Sequence, residues 1–206
     1  MRTLSRVALA AGLCAIALTT GCASAPPKGI YQTPPGLGQY PYSDADIDFM
    51  SGMIPHHAQA VIMAGWAPTR GASKEVAILC ERIVVGQRDE IALMRQWLSE
   101  RGLAVPDATS TRHRMKMPNG VEHDMLMPGM MSDEQMAALE KSRGPEFDRL
   151  FLEGMIRHHQ GAIDMVDKLF KAYGGAQDET VFKFANDVQA DQSVEIDVMK
   201  DMLDRR

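Results

Sequence analysis

Phe49-Met50-Ser51-Gly52-Met53-Ile54-Pro55-His56-His57-Ala58-Gln59-Ala60-Val61-Ile62-Met63 returns 102 residues later as Phe151-Leu152-Glu153-Gly154-Met155-Ile156-Arg157-His158-His159-Gln160-Gly161-Ala162-Ile163-Asp164-Met165. Phe, Gly, Met-Ile, His-His, Ala and Met stay in register. A second match follows at an offset of 105, where Gln87, Glu90, Ile91, Met94 and Leu98 reappear as Gln192, Glu195, Ile196, Met199 and Leu203. In both matches the apolar residues recur at helical spacing. Each half of the chain therefore reads as a helical hairpin, and two tandem hairpins joined by a long crossover predict an all-α, ferritin-like four-helix bundle.

Start and stop signals place the helices. Ser43 is an N-cap followed by Asp44 and Asp46, which suit the positive end of a helix dipole. The first helix is predicted from Ser43 to Trp66, ended by Pro68 and Gly71. The second runs from Ser73 to Arg101 and stops at Gly102. The third covers Pro145 to Tyr173, and the fourth Asp178 to Leu203. Ser132-x-x-Gln135 is a capping-box pattern that starts a short helix to Lys141. The repeats thus span residues 43–102 and 145–204, with a crossover over 103–144 inside one domain, 43–206. Leu103 to Met131 is long for a loop in a compact domain, so it reads as functional, mobile or a further helix. No strand signal stands out. Pro55 breaks the likeness of the copies, because it leaves the Ser51 carbonyl without its usual donor while Arg157 keeps the ladder intact.

On a helical wheel, Phe49, Met53, His56, His57, Ala60, Met63 and Ala64 share an arc of about 120°. Phe151, Met155, His158, His159, Ala162, Met165 and Val166 share the equivalent arc. Gly52 and Gly154 sit beside it and allow close approach of a neighbouring helix. Facing this, Gln87 and Glu90, and likewise Gln192 and Glu195, interrupt the apolar stripes of the second and fourth helices. A carboxylate in an apolar stripe is costly unless paired. Imidazoles are its natural partners, and a carboxylate that holds one ring N–H fixes the tautomer of a metal-binding histidine. Glu90 and Glu195 are therefore expected to orient the histidines or to ligate metal themselves.

Methionine is the compositional anomaly, with 16 in 206 residues. The crossover alone holds His113, Met115, Met117, His123, Met125, Met127, Met130 and Met131, all candidates for additional metal ligands. Thioether sulfur is soft and selects Cu(I), while imidazole accepts either copper state. The expected metal set is Met53, His56, His57 and Met63 with Met155, His158, His159 and Met165. Cu(I) is the favoured ion, with Cu(II) or Ag(I) as alternatives.

The N-terminus reads as an export signal. Arg2 and Arg6 precede the apolar run Val7 to Leu18, which is too short to span a bilayer. Thr19-Thr20-Gly21-Cys22 follows like a lipobox, so residues 1–21 are expected to be removed and Cys22 lipidated, tethering the protein to a membrane. Residues 22–42 are rich in Pro and Gly and read as a flexible tether. Without the signal the net charge is about −7, which argues against nucleic acid and against electrostatic binding to anionic lipid. Cys80 then has no partner for a disulfide; it reads as a buried small hydrophobe, with a thiolate ligand as the alternative.

The Met-Ile-Pro-His-His and Met-Ile-Arg-His-His motifs, the linker from Met127 to Met131 with Gln135-Met136, and the closing Glu-Ile-x-x-Met pattern together resemble the bacterial family called domain of unknown function 305. The resemblance covers residues 43–204. It implies a ferritin-like bundle and copper or silver binding in metal tolerance, since a periplasmic copper-binding protein belongs to it. Three functions stay open: a metal buffer or chaperone without catalysis, a ferritin-like di-metal oxidase, and a structural or adaptor lipoprotein.

Overall fold

The computed structural model describes residues 29–116 and 122–206. Four long helices dominate: α1 (Asp44–Gly65), α3 (Lys74–Glu100), α5 (Pro145–Lys171) and α6 (Glu179–Asp204), with short α2 (Ala67–Arg70) and α4 (Asp133–Lys141) between them. α1 packs on α3, and α5 on α6, as the two hairpins. The hairpins meet through α1 and α5. A Cβ on Gly52 would lie 3.5 Å from the Met165 methyl, and one on Gly154 would lie 3.5 Å from the Met63 methyl. These reciprocal contacts show that the repeats cross antiparallel. The result is the expected ferritin-like four-helix bundle, and among the described residues no helix is long and apolar enough to cross a membrane.

The caps work as the sequence suggests. Ser43 and Asp46 form a complete capping box on α1, as do Ser132 and Gln135 on α4. Asp178 caps α6 by accepting from Thr180 and Val181. Asp178 also accepts from the indole N–H of Trp97 at 3.1 Å and pairs with Arg101 at 2.7 Å. Arg101 stacks over the Trp97 ring, 4.2 Å from its centroid. This buried knot joins the end of α3 to the start of α6.

Two small sheets depart from the all-helical expectation. β1 (Ile30–Tyr31) pairs with β2 (Tyr42–Ser43), and β3 (His113–Lys116) pairs with β4 (Glu122–Met125), both antiparallel. The crossover is therefore a β-hairpin followed by a turn and a short helix, not one long helix. Residues 29–43 are not a free tether either. Tyr42 is buried and stacks with Tyr31, whose hydroxyl donates to Asp44 at 2.8 Å. Pairing of Ile30 with Ser43 and of Tyr31 with Tyr42 satisfies backbone groups at the two ends of this Pro-rich stretch. Cys22 and Met117 lie outside the described residues.

The apolar core comes in two parts. One gathers Phe49, Met50, Trp97, Leu98, Val166, Leu169, Phe184 and Val188. The other gathers Met63, Leu79, Cys80, Ile83, Phe147, Phe151, Leu152 and Met199. Between them, at mid-height, lies a polar layer of His56, His57, Gln87, His158, His159 and Gln192, all buried.

Candidate metal centre

Each hairpin contributes one His-His pair to this layer. All four rings are fully buried. The outer ring of each pair meets a carboxylate on the partner helix of its own hairpin. His57 Nε2 donates to Glu90 at 2.6 Å, and His159 Nε2 donates to Glu195 at 2.7 Å. Both glutamates reach a cleft of about 300 Å3 between α3 and α6, which Gln87, Gln192 and Arg82 also line. The inner rings, His56 and His158, meet across the α1–α5 crossing with centroids 3.8 Å apart.

A carbonyl can only accept, so the 3.0 Å contact of His56 Nε2 with the Pro128 carbonyl fixes that nitrogen as an N–H. The Nδ1 atoms of His56, His57 and His159 are buried without a hydrogen-bond partner, as are both ring nitrogens of His158. An unsatisfied buried polar atom costs about 1–3 kcal/mol. Five ring nitrogens in one layer are therefore a large departure from how buried polar groups are normally treated. Burial, reinforced by His57, pushes the His56 pKa down to about 3. Burial, reinforced by the neighbouring His56, His159 and His57, holds the His158 pKa well below the usual histidine range. Neutral imidazoles with free lone pairs are the form that binds metal.

Thioethers bracket the inner pair. Over Gly52, one turn before His56, lie the methyl ends of Met127 and Met165. Over Gly154, one turn before His158, lie Met131 and Met63. Met53 and Met155 are also fully buried. Among the described residues no three His, Cys, Asp or Glu side chains gather as a preformed ligand group. A metal in this layer would have to complete its shell with sulfur, and this donor set suits a soft ion.

The crossover covers the layer through its turn, not through its hairpin. The Pro128 carbonyl accepts from His56, and Gln59 clasps Met131 with two hydrogen bonds of 2.7 and 2.9 Å to its backbone. At the equivalent position of the second repeat stands Gly161, where a Cβ would fall 2.0 Å from the Pro128 oxygen. Sequence reasoning missed Gln59, Pro128 and Gly161. The signal was the mismatch of Gln59 with Gly161 inside an otherwise matched repeat. His123 and Met125 are exposed on β4, away from the layer. The Met130 sulfur accepts from the Met127 N–H at 3.2 Å. His113 leans on α1, with its ring against the Ser51 carbonyl that Pro55 leaves free. Cys80 sits in the lower core cluster on α3, where burial and nearby Asp148 push its pKa up to about 12. It is a thiol.

A ferritin-like bundle whose core is divided by a buried layer of histidines flanked by thioethers defines a class of helical protein suited to soft metals. The chain belongs to the DUF305 family, a domain of unknown function whose family model matches residues 46–203. A DUF305 protein from Streptomyces coelicolor superposes with a TM-score of 0.66 at 27% identity, covering 78% of this chain and 93% of the other. CopM in its Cu(I)-bound form gives a TM-score of 0.59 at 27% identity, with 78% and 96% covered. Among curated proteins, Uncharacterized protein L153 of Acanthamoeba polyphaga mimivirus is 36% identical over 58 residues, 28% of this chain. The match spans 38% of that relative's length.

Proposed function

We propose that this chain is an exported lipoprotein that binds copper as Cu(I), with Ag(I) or Cu(II) as alternatives, and serves as a metal buffer or chaperone in metal tolerance. The ligands are His56, His57, His158 and His159 with Met53, Met63, Met155 and Met165. Gln87, Glu90, Gln192 and Glu195 back them, through the two His–Glu hydrogen bonds and the amide groups beside them. The observation that carries this reading is the set of five unpartnered ring nitrogens in a layer bracketed by thioethers. Support also comes from CopM, which crystallised in Cu(I)-, Cu(II)- and Ag-bound forms. Lipidation at Cys22 would hold the domain at a membrane surface facing the periplasm or cell exterior.

The test is a thermal melt under reducing conditions with and without Cu(I). Ligand at a hundredfold excess over Kd stabilises the native state by about 2.7 kcal/mol. For a chain of this size that raises Tm by roughly 5–10 °C. The shift should vanish when His56, His57, His158 and His159 are all replaced by alanine. An unchanged Cu(I) affinity in that variant sinks the reading.

A ferritin-like di-metal oxidase is the second reading, favoured by the two His–Glu pairs at 2.6 and 2.7 Å. Oxygen consumption by the iron- or copper-loaded protein separates it from plain binding.

A further inference from the structure

The geometry points to a solvent-facing soft-metal port on the first repeat only, where His113, Met127 and Met165 line one pocket beside Gly52 of α1, Met165 being shared with the histidine layer. It rests on the reading of the histidine layer as a Cu(I) store. Three independent features build it. Gly52 has no side chain, so the turn is bare, and a Cβ there would meet the Met127 methyl at 2.8 Å, the Met127 sulfur at 3.6 Å and the Met165 methyl at 3.5 Å. Two thioethers, one from the crossover and one from α5, thus end at the same point. Pro55 frees the Ser51 carbonyl on the same turn. Finally, the three side chains line one open pocket of about 260 Å3, with Phe49 as its wall and Asp48 and Lys168 among its lining residues.

Two thioether sulfurs and one imidazole nitrogen are neutral, soft donors, a set that takes a monovalent d10 ion such as Cu(I) or Ag(I) in low coordination. Asp48 and Lys168 oppose each other, so the lining offers no net negative charge to a hard dication. The second repeat cannot form the same port. Arg157 replaces Pro55, and Gly154 is covered by Met131 and Met63, both buried. The port is therefore single, and it lies one helical turn from His56 on the same face of α1. Metal captured from solvent there would have a short path to the His56–His158 pair.

The test uses the full chain with its methionine methyl groups labelled with carbon-13, titrated with Ag(I) under NMR observation. The Met127 methyl and the His113 ring should shift together. A His113→Gln variant should lose one equivalent of bound Ag(I). It should also load His56 and His158 at least about tenfold more slowly, a barrier change of about 1.4 kcal/mol, with their final occupancy unchanged. Wild-type stoichiometry and loading rate in that variant would overturn the port. Shifts of His56 and His158 with the Met127 methyl and the His113 ring unmoved would also overturn it, while leaving the histidine layer standing. No shift at either place would overturn both.

Discussion

The His56 and His158 rings, equivalent residues of the two repeats, lie 3.8 Å apart at their centroids with planes inclined by 42°. Duplication brought the same residue to the same place twice, and the antiparallel crossing of α1 and α5 put the two copies face to face. Burial disfavours a proton on either imidazole, and the closeness of the neighbouring histidines adds to this, so the pair is held neutral.

That neutrality has a pH signature. The His56 pKa is lowered to about 3, and that of His158 is lowered well below 6.5. Between pH 6.5 and about 3 the unfolded chain binds protons that the folded chain refuses. The contribution of these residues to stability is thus complete above pH 6.5 and is lost as pH falls. The slope is about 1.4 kcal/mol per pH unit for each histidine. Urea unfolding of the metal-free protein across this range should show it, and a His56→Gln/His158→Gln variant should show a flatter profile.

Glu90 and Glu195 hold the outer histidines by charge-assisted bonds. Glu90→Leu leaves the buried His57 N–H without an acceptor, which should cost about 1–3 kcal/mol. Glu90→Gln keeps an acceptor and should cost less. Comparing the two by denaturant unfolding separates hydrogen bonding from packing.

Gly161→Ala puts a methyl 2.0 Å from the Pro128 oxygen, and neither backbone can yield cheaply. Overpacking of this kind costs about 1–3 kcal/mol. Hydrogen exchange should locate the loosening in the turn from Met127 to Met131, and the variant should expose His56 to solvent.

Asp178→Ala removes the cap of α6 and strands Arg101, whose side chain is 1% exposed. Breaking a buried pair in this way costs about 3–5 kcal/mol. Thermal unfolding should report the loss, while Arg149→Ala, on an exposed face, should change stability by less than about 1 kcal/mol.

Cys80 should resist thiol reagents in the native state, because burial keeps it protonated far above neutral pH. Labelling should appear only with global unfolding, and should therefore slow when bound copper stabilises the fold. Fast labelling of the native chain would contradict its place in the core.

The helices could be read from the chain because caps and periodicity are local: Ser43, Ser132, Gly102 and Asp178 mark ends that the structure places within a residue or two. The approach of Glu90 to His57 and of Glu195 to His159 was also legible, since a carboxylate in an apolar stripe demands a buried partner. The lid over the layer was not. Pro128 contributes through its backbone carbonyl, which carries no sequence signature, and the contacts of Gln59 and Gly161 span tens of residues with no period to reveal them. The pairing of Tyr31 with Tyr42 was hidden for the same reason, inside a Pro-rich segment whose composition suggested a free tether. Composition also over-counted the crossover. It treated eight His and Met residues alike, whereas the fold brings Met127 and Met131 to the layer and leaves His123 and Met125 in solvent.

The most direct test of a buried histidine–thioether copper centre is X-ray absorption at the copper edge of the Cu(I)-loaded protein. A first shell of imidazole nitrogen and thioether sulfur is expected, with the sulfur contribution surviving mild acid because methionine needs no deprotonation. A shell of light atoms alone, unchanged when His56 and His158 are replaced, would contradict it.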